Sequence, residues 1–456
     1  MKLSVNRQGR VKTGLLEYSY WGFLLVSIGR VGQLFPGLSH IPLGKITLLI
    51  CVVPLIAYWR SLPRASSRTA PLMRTMQLLL LIALLLTPFS LWKGGSFGFL
   101  LNQAPVLVVV TLLGYKICRS WQQIRGTMLT LVLCGIFLAG AALVGYNGGR
   151  AATETMYDTN DLAYLLVTVF PLALGFALTA RRSRLRVVYW AVAGALVLAT
   201  LLTQSRGGFL ALLAELALLA LVKIAPTQVK RRTPSRVAIL VCAIGIGVVV
   251  WTGLPKNAQS RLDTIFSLSS DYNLDRGDVT GRREIWTRGL EATFKRPIGY
   301  GVNTFQMVDL KFGGRFMAPH NSFLEVLVEL GVLGLALFVG IYLLTWRALQ
   351  RLYNSLCKAQ PSLGQHEQIV FVRMTQFVLI GNAVAGFFLS MAYSTLLWTL
   401  IGICIGMVLA AYPKAGCMKE NVQSKFGPLL STRVENRRLS AQRYGPRNLA
   451  KGQINL

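Results

Sequence analysis

Charged side chains are scarce in this sequence: they make up 14% of its 456 residues, whereas soluble proteins carry about 25%. Acidic residues are the rarest, with 17 Asp and Glu against 48 Lys and Arg, which gives a net charge of +31. A basic excess of this size is common among proteins that bind nucleic acids. Here, however, the basic residues fall in alternate connections between apolar segments. They therefore indicate orientation in a membrane, and we expect no nucleic-acid partner.

Signals for metals, cofactors and disulfides are also lacking. The sequence contains no Walker loop and no H-E-x-x-H zinc pair. The segment that starts at Asp271 resembles a calcium-binding loop, but its glycine, Gly277, comes one position late and Arg282 replaces the last glutamate. None of the seven cysteines lies in the polar segment 256–320, so no disulfide framework is indicated. We therefore predict no metal and no cofactor.

Apolar runs that approach the length of a membrane-spanning helix are abundant, and 53% of the residues are hydrophobic. Twelve runs lie near residues 18–35, 46–59, 72–90, 98–118, 126–146, 161–180, 187–203, 207–223, 237–252, 322–346, 369–391 and 394–412. They predict an all-α integral membrane protein with about twelve transmembrane helices and one large periplasmic loop between helices nine and ten.

The basic residues assign the two sides of the membrane. Clusters of Lys and Arg follow every second apolar run, whereas the intervening connections carry few, such as Lys45, Lys93 and Arg206. By the positive-inside rule the basic side is cytoplasmic, so the long loop lies in the periplasm and the protein in the bacterial inner membrane. The predicted domains are a basic cytoplasmic N-terminus (1–17), helices one to nine (18–252), a periplasmic loop with amphipathic helices (253–320), helices ten to twelve (321–412) and a disordered basic cytoplasmic tail (413–456).

Two arginines on the outer side are candidates for a functional site. Arg206 lies in the tight turn 205–208, where two glycines permit close approach of the backbone. It is equally consistent with a side chain that extends from a helix end to the lipid headgroups. Arg282 is the first residue of a predicted helix. That helix is equally consistent with one that lies on anionic lipid as a basic amphipathic helix. The apolar stripe of that helix is predicted to consist of Trp286, Leu290 and Phe294.

His320, just before the tenth run, is the third candidate. The following Ser322 and Glu325 have the spacing of a capping box, which explains both as structural. His320 has no such explanation, although a lone histidine is often an ordinary polar group. Residues 157–161, ahead of the sixth run, are explained by helix capping. Glu215 and Arg30 lie in or near apolar runs, where charge is costly, and the sequence identifies no partner for them.

Taken together, four segments resemble the O-antigen ligase and O-antigen polymerase family. They are Ser205-Arg206-Gly207, Arg282-x-x-x-Trp286, Pro297-Ile298-Gly299-Tyr300-Gly301 and His320-Asn321-x-x-Leu324-Glu325-x-x-x-Glu329-x-Gly331. The twelve runs and the long external loop belong to the same resemblance. It covers roughly residues 20–412 and is most specific between Ser205 and Gly334.

The resemblance implies a metal-independent glycosyltransferase on the periplasmic face. Its donor would be a glycan on undecaprenyl diphosphate, its acceptor a sugar hydroxyl of lipid A-core, and membrane lipids would surround it. Alternatives within the family are polymerisation of O-antigen or exopolysaccharide and protein O-glycosylation; a lipid-linked glycan transporter is an alternative from another class. The family's catalytic residues correspond to Arg206, Arg282 and His320, and we predict as substrate-binding residues Arg283, Arg288, Tyr300 and Asn321.

Elementary chemistry agrees with this assignment. Cleavage of a sugar–diphosphate bond builds negative charge on phosphate oxygens, which arginine binds through two parallel hydrogen bonds at any relevant pH. A histidine, whose ordinary pKa is about 6.5, can accept the proton of an acceptor hydroxyl. Paired carboxylates spaced for glycoside hydrolysis are not evident, which favours transfer. A transporter has no need of the histidine, and the related halves typical of transporters are not found.

The predicted topology is tested by labelling cysteines from outside intact cells. We expect a membrane-impermeant maleimide to react with Ser270→Cys, in the long loop, but not with Arg232→Cys, in a basic connection. The unsubstituted protein, with its seven native cysteines, gives the background. Reaction at position 232 without reaction at position 270 would reverse the orientation and move the candidate residues to the cytoplasmic side.

Overall fold

The computed structural model of the protein describes residues 14–34, 40–57, 66–118, 120–147, 149–153, 157–225, 279–358 and 363–411, with residues 37, 59 and 259. Within these ranges every regular element is a helix, which confirms the all-α prediction. Residues 1–410 form one compact unit. The ninth apolar run, most of the long loop and the basic tail lie outside the described residues, so their predicted structure stays a prediction.

The described helices follow the apolar runs. In chain order they are α1 (Gly14–Ser27), α2 (Leu43–Ala57), α3 (Ala70–Leu86), α4 (Lys93–Gly98), α5 (Ala104–Ile117), α6 (Trp121–Val144), α7 (Thr159–Thr179), α8 (Ser183–Leu202), α9 (Arg206–Leu221), α10 (Arg282–Lys295), α11 (Phe305–Lys311), α12 (Ser322–Lys358), α13 (Leu363–Gly386) and α14 (Thr395–Ala411). A π-turn, Phe99–Gln103, joins α4 to α5, and a 3₁₀ turn, Thr87–Phe89, extends α3.

Within the described part of the chain, seven helical segments are long and apolar enough to cross a membrane. They are Ala70–Phe89, Lys93–Ile117, Trp121–Val144, Thr159–Thr179, Ser183–Leu202, Ser322–Lys358 and Gly364–Gly386. The apolar helices α2 and α14 are shorter. In the most apolar stretch of α7, 94% of the residues are buried inside the protein. In the corresponding stretch of the segment that contains α3, 22% are buried. Helix α7 is therefore central, whereas α3 presents most of its surface outward.

Hydrogen bonds between side chains join the central helices. The Asn382 side chain on α13 donates to the Tyr164 hydroxyl on α7 at 2.7 Å and accepts from the Tyr342 hydroxyl on α12 at 2.8 Å. Polar groups buried among apolar helices are stabilised when they find such partners. These bonds hold α7, α12 and α13 together where the bundle is otherwise apolar.

Helix α12 is interrupted at Gly331, whose φ of 72° and ψ of −172° are accessible essentially to glycine alone. The carbonyls of Val328 and Glu329, freed by the break, accept the amides of Tyr300 and Gly301 at 3.0 and 2.8 Å. The Val332 amide donates to the Pro297 carbonyl at 3.0 Å. Segment 297–301 thus replaces the missing helical hydrogen bonds, as buried backbone groups require. We call this contact between segment 297–301 and the break at Gly331 the joint.

The Glu329 side chain continues this joint. One carboxylate oxygen accepts the Thr304 and Phe305 amides at 2.9 and 3.2 Å, and the other accepts the Tyr393 hydroxyl at 3.1 Å. The first two bonds satisfy amides at the start of α11, where a helix has no partners of its own. One side chain therefore connects α12, α11 and the connection between α13 and α14.

Residues 279–321 form a small layer over one end of the bundle, which we call the outer layer. Their apolar core consists of Ile285, Ala292, Tyr300, Phe305 and Val308, packed against Leu324 and Val328 of α12. The layer also contacts α4 and the connection that precedes it. The Leu91 amide, in the connection, donates to the Tyr300 carbonyl at 2.8 Å, and the Ser96 hydroxyl, in α4, donates to the Val302 carbonyl at 2.6 Å. Through these contacts the layer is fixed on the helices beneath it.

Gly331→Ala tests the joint. A Cβ at this position would collide with the Pro297 carbonyl and with Ile298, so we expect a loss of more than about 2 kcal/mol in the free energy of unfolding. Gly340→Ala, further along α12, is the matched control, because its Cβ would meet only Thr75 Cγ2 at 3.6 Å. We expect the control to be neutral or to stabilise by up to about 1 kcal/mol. Thermal unfolding in detergent measures both; equal midpoints would contradict the role assigned to the break.

Candidate functional site

Arg206, Arg282 and His320 line one open cavity of about 170 Å³ at the end of the bundle covered by residues 279–321. These three residues are far apart in sequence, and the sequence analysis proposed them as catalytic. Arg150, Asn160 and Gln204 also line the cavity, and among the described lining residues there is no Asp or Glu. This part of the lining therefore carries positive charge from three arginines.

Helix N-termini add to the positive charge. Arg206 and Arg282 are the first residues of α9 and α10, Asn160 lies in the first turn of α7, and His320 is two residues ahead of α12. Each N-terminus carries roughly half a positive charge from its aligned peptide dipoles. The N-termini of α9 and α10, whose first residues line the cavity, favour an anion such as a phosphate. The N-terminus of α7 already holds the Asp158 carboxylate, and that of α12 is capped by Asn321.

The turn 205–208 holds Arg206 against the bundle. Ser205 caps α9, its hydroxyl accepting the Gly208 amide at 3.4 Å. An added Cβ would lie 2.7 Å from Phe388 Cβ at Gly207 and 2.6 Å from Ala163 Cβ at Gly208. This confirms the close approach expected of the two glycines. Arg206 accordingly lines the cavity and is not directed only to lipid headgroups.

Helix α10 presents Arg282 to the cavity and leaves the neighbouring Arg283 exposed. The predicted apolar stripe is not the buried face of the helix, which is formed by Ile285, Arg288, Gly289 and Ala292. Leu290 and Phe294 are 46% and 84% exposed. The buried positions are offset from the stripe because apolar spacing alone does not say which face meets a partner.

Trp286 fixes the position of His320. Its indole donates to the Pro319 carbonyl at 2.8 Å, and its ring packs edge-on against Phe387 with centroids 5.7 Å apart. His320 itself has a φ of 46°, a left-handed conformation that a non-glycine residue adopts only when its surroundings enforce it. The Trp286 bond supplies part of that constraint.

The surroundings of His320 favour a neutral imidazole. Burial lowers its pKa from the ordinary value of 6.5, the charge of Arg282 lowers the pKa further, and Asp158 opposes both. Asp158 is itself engaged at the start of α7, where one carboxylate oxygen accepts the Asn160 and Asp161 amides at 2.8 and 2.7 Å. This confirms the capping expected there. A neutral histidine beside a positive cavity can accept a proton near pH 7.

The capping box predicted for Ser322 and Glu325 is wrong. The N-cap is Asn321, whose side-chain oxygen accepts the Phe323 and Leu324 amides at 3.0 and 3.1 Å. The Ser322 hydroxyl instead donates to the Leu389 carbonyl at 2.6 Å and accepts the Met391 amide at 2.7 Å. Asn321 thus has a structural task, and this position does not support the substrate-binding role predicted for it.

Arg288 and Tyr300 also have structural partners. Arg288 is buried and forms an ion pair with Asp309 at 2.6 Å, while the same nitrogen donates to the Val279 carbonyl at 2.7 Å. The Tyr300 hydroxyl donates to the Ala292 carbonyl at 3.1 Å inside the small core. Neither residue lines the cavity, nor does Arg283. The substrate-binding roles predicted for these three residues therefore gain no support.

Several other polar residues now have identified surroundings. The guanidinium of Arg30 lies over the Tyr157 ring at 4.0 Å. Glu215 is fully buried against Gly381, and within the described residues its carboxylate accepts no hydrogen bond. Ser96 is the centre of a G-x-S-x-G spacing in Gly94–Gly98, but it is buried and bonded to the Ser90 hydroxyl and the Val302 carbonyl. Ser96 is therefore structural.

Arg150, Asn160 and Gln204 are polar cavity residues that the sequence analysis did not propose for the site. Arg150 lies between the fifth and sixth apolar runs, on the side where basic residues are few. A lone arginine on that side was a usable signal, because the positive-inside pattern does not account for it. As for metals, no group of three or more His, Cys, Asp or Glu side chains within the described ranges is placed to hold an ion.

Comparison with known protein families identifies the matching segment. Residues 191–339 match the family model described as O-antigen ligase. This confirms the resemblance inferred from the sequence. The match covers about a third of the chain and includes Arg206, Arg282 and His320. A search of curated proteins finds no match.

The O-antigen ligase match also contains the joint between segment 297–301 and Gly331. Arg150 and Asn160 precede the matched range, although they line the same cavity. The match supports a function of the ligase or polymerase type. The cavity is therefore built largely, but not wholly, from the O-antigen ligase segment.

Arg288→Ala separates structural from substrate-binding roles. We expect it to lower the free energy of unfolding by about 3–5 kcal/mol, because it leaves the buried Asp309 carboxylate without its charge partner. Lys295→Ala is the control: its ion pair with Glu291 is exposed, so we expect a change within about 0.5 kcal/mol. Thermal unfolding of the purified protein measures both. Wild-type stability of Arg288→Ala together with weaker substrate binding would restore the role predicted from sequence.

Proposed function

We propose that this protein is a metal-independent glycosyltransferase of the O-antigen ligase type. It transfers a glycan from undecaprenyl diphosphate to a sugar hydroxyl of lipid A-core. The reaction takes place on the periplasmic face of the bacterial inner membrane, in a chain that crosses the membrane about twelve times. The observation that carries the proposal is the convergence of Arg206, Arg282 and His320 on one positive cavity.

The two arginines bind the leaving group. As the bond between sugar and diphosphate breaks, negative charge grows on the phosphate oxygens. Guanidinium groups form paired, charge-assisted hydrogen bonds to such oxygens. Arg206 and Arg282 also begin their helices, so backbone dipoles act in the same direction. Charges that are already in place before the reaction commonly supply the largest part of catalysis.

His320 accepts the proton of the acceptor hydroxyl. Its lowered pKa keeps the imidazole neutral near pH 7, which is the form that can take a proton. The proton passes from the hydroxyl to the imidazole as the hydroxyl oxygen attacks the sugar carbon, and the lipid diphosphate leaves with the electron pair of the broken bond. No bound metal is needed for either charge or proton transfer.

Polymerisation of O-antigen or exopolysaccharide, or glycosylation of a protein, uses the same donor and differs only in the acceptor. A lipid-linked glycan transporter is less compatible with the site, because transport does not require a histidine with a lowered pKa beside arginines. Deletion of the gene and a gel of the host's lipopolysaccharide separate these functions. Loss of all O-antigen from lipid A-core is expected for the ligase; a core with one repeat would mean a polymerase, and an unchanged ladder would mean another glycan.

His320→Gln is the sharpest test of the mechanism. Glutamine keeps hydrogen bonding but cannot take a proton, so we expect transfer to fall by about 10²–10⁴-fold, as with His320→Ala. In the wild type, transfer should decline in acid, at a pH below the ordinary histidine pKa, because the imidazole becomes protonated only as the pH falls through its lowered pKa.

The assay measures glycan transfer from purified undecaprenyl-diphosphate donor in detergent with EDTA, across a pH series. His40→Gln is the matched control, since His40 is exposed and does not line the cavity; it should keep wild-type activity. Substantial transfer by His320→Gln would remove the base assignment and leave the arginine site intact. Loss of wild-type transfer in EDTA would contradict the metal-independent mechanism.

A further inference from the structure

Arg150 lines the cavity together with Arg206 and Arg282, although it comes from a different part of the chain. It lies in the connection between α6 and α7, outside the segment that matches the O-antigen ligase family. The three arginines thus reach one cavity from three separate segments. The described lining of the cavity therefore contains three arginines.

The Arg150 guanidinium is oriented by groups at the cavity itself. Its Nε donates to the Thr203 carbonyl at 3.0 Å, and one terminal nitrogen donates to the Asn160 side-chain oxygen at 3.2 Å. Asn160 lines the cavity, and Thr203 immediately precedes the turn that carries Arg206. These two bonds orient the guanidinium at the cavity.

The backbone beside Arg150 is fixed in the same way. The Ala151 amide donates to the Leu202 carbonyl at 2.8 Å, and the Gln204 side chain donates to the Gly149 carbonyl at 2.9 Å. Residues 149–151 therefore run along the end of α8. If Arg150 served only to tie these segments together, the backbone bonds and a neutral donor would suffice, and its charge would not be needed.

Resting on the proposed function, we propose that Arg150 binds the diphosphate and sets the preference for diphosphate-linked over monophosphate-linked lipid donors. A diphosphate presents two phosphate groups with more oxygens than two guanidinium forks satisfy. A third arginine, held in place beforehand, engages the second phosphate. A monophosphate has only one phosphate group, which Arg206 and Arg282 already cover, so it gains little from Arg150.

The test measures binding of two probes, farnesyl diphosphate and farnesyl monophosphate, to the full-length protein in detergent. The wild type should prefer the diphosphate. Arg150→Gln, which keeps a hydrogen-bond donor without the charge, should weaken diphosphate binding by about tenfold to a hundredfold, the range for hydrogen bonds to charged groups. Monophosphate binding should change by less than about threefold.

Arg315→Gln is the matched control, because Arg315 is exposed in the same outer layer and does not line the cavity; both affinities should stay at wild-type values. Arg206→Gln is the positive control for lost binding, and it should weaken the binding of both probes. Wild-type diphosphate binding by Arg150→Gln, or equal weakening of both probes, overturns the assignment. A wild type that binds neither probe overturns the proposed function itself.

Arg150→Lys decides the matter if the Gln variant does not fold. Lysine keeps the charge but loses the planar fork, so the preference for diphosphate should fall at least about fivefold. An unchanged preference in a folded Arg150→Lys protein would overturn the assignment, and its thermal unfolding midpoint shows whether it is folded.

Discussion

Hydrogen bonding of the backbone at a broken helix is the constraint on which the rest of the structure depends. Backbone groups left open among apolar helices are costly, so irregular segments persist there only when other parts of the protein satisfy them. At Gly331 this is done by segment 297–301, whose amides and carbonyl take over the missing bonds. Glu329, held beside the break, then caps α11. The layer that carries Arg282 and His320 is built on this joint.

Arginines in this protein differ by the partners they are given. Arg288, inside the outer layer, faces the Asp309 carboxylate, which neutralises it and fixes a turn. Arg206 and Arg282 instead line the cavity, whose described lining contains no Asp or Glu. Positive charges held near one another raise the energy of an empty cavity and lower that of a cavity that holds an anion. Position in a small core or at the cavity therefore separates the arginine that supports the fold from those at the candidate site.

The sequence predicted the described helices, because long apolar runs have few alternative explanations. Arg206, Arg282 and His320 each had a structural alternative, and only the family resemblance grouped them into one predicted site. It did not separate these from Tyr300 and Arg288, which stand in equally suggestive positions but face a core. Burial depends on which side of a short helix meets its neighbour, and spacing alone leaves that open. The cap of α12 was missed by one residue, since Asn321 and Ser322 both have capping side chains. The number of spans stays a prediction, because the ninth run lies outside the described residues.

The joint at Gly331 has a consequence for how the chain is made. Segment 297–301 leaves the ribosome before α12, and the carbonyls that it satisfies lie only about thirty residues later in the sequence. Contacts at such short separation close at little entropic cost and form early. The first turns of α12 can thus dock on a partner that is already present when they enter the membrane.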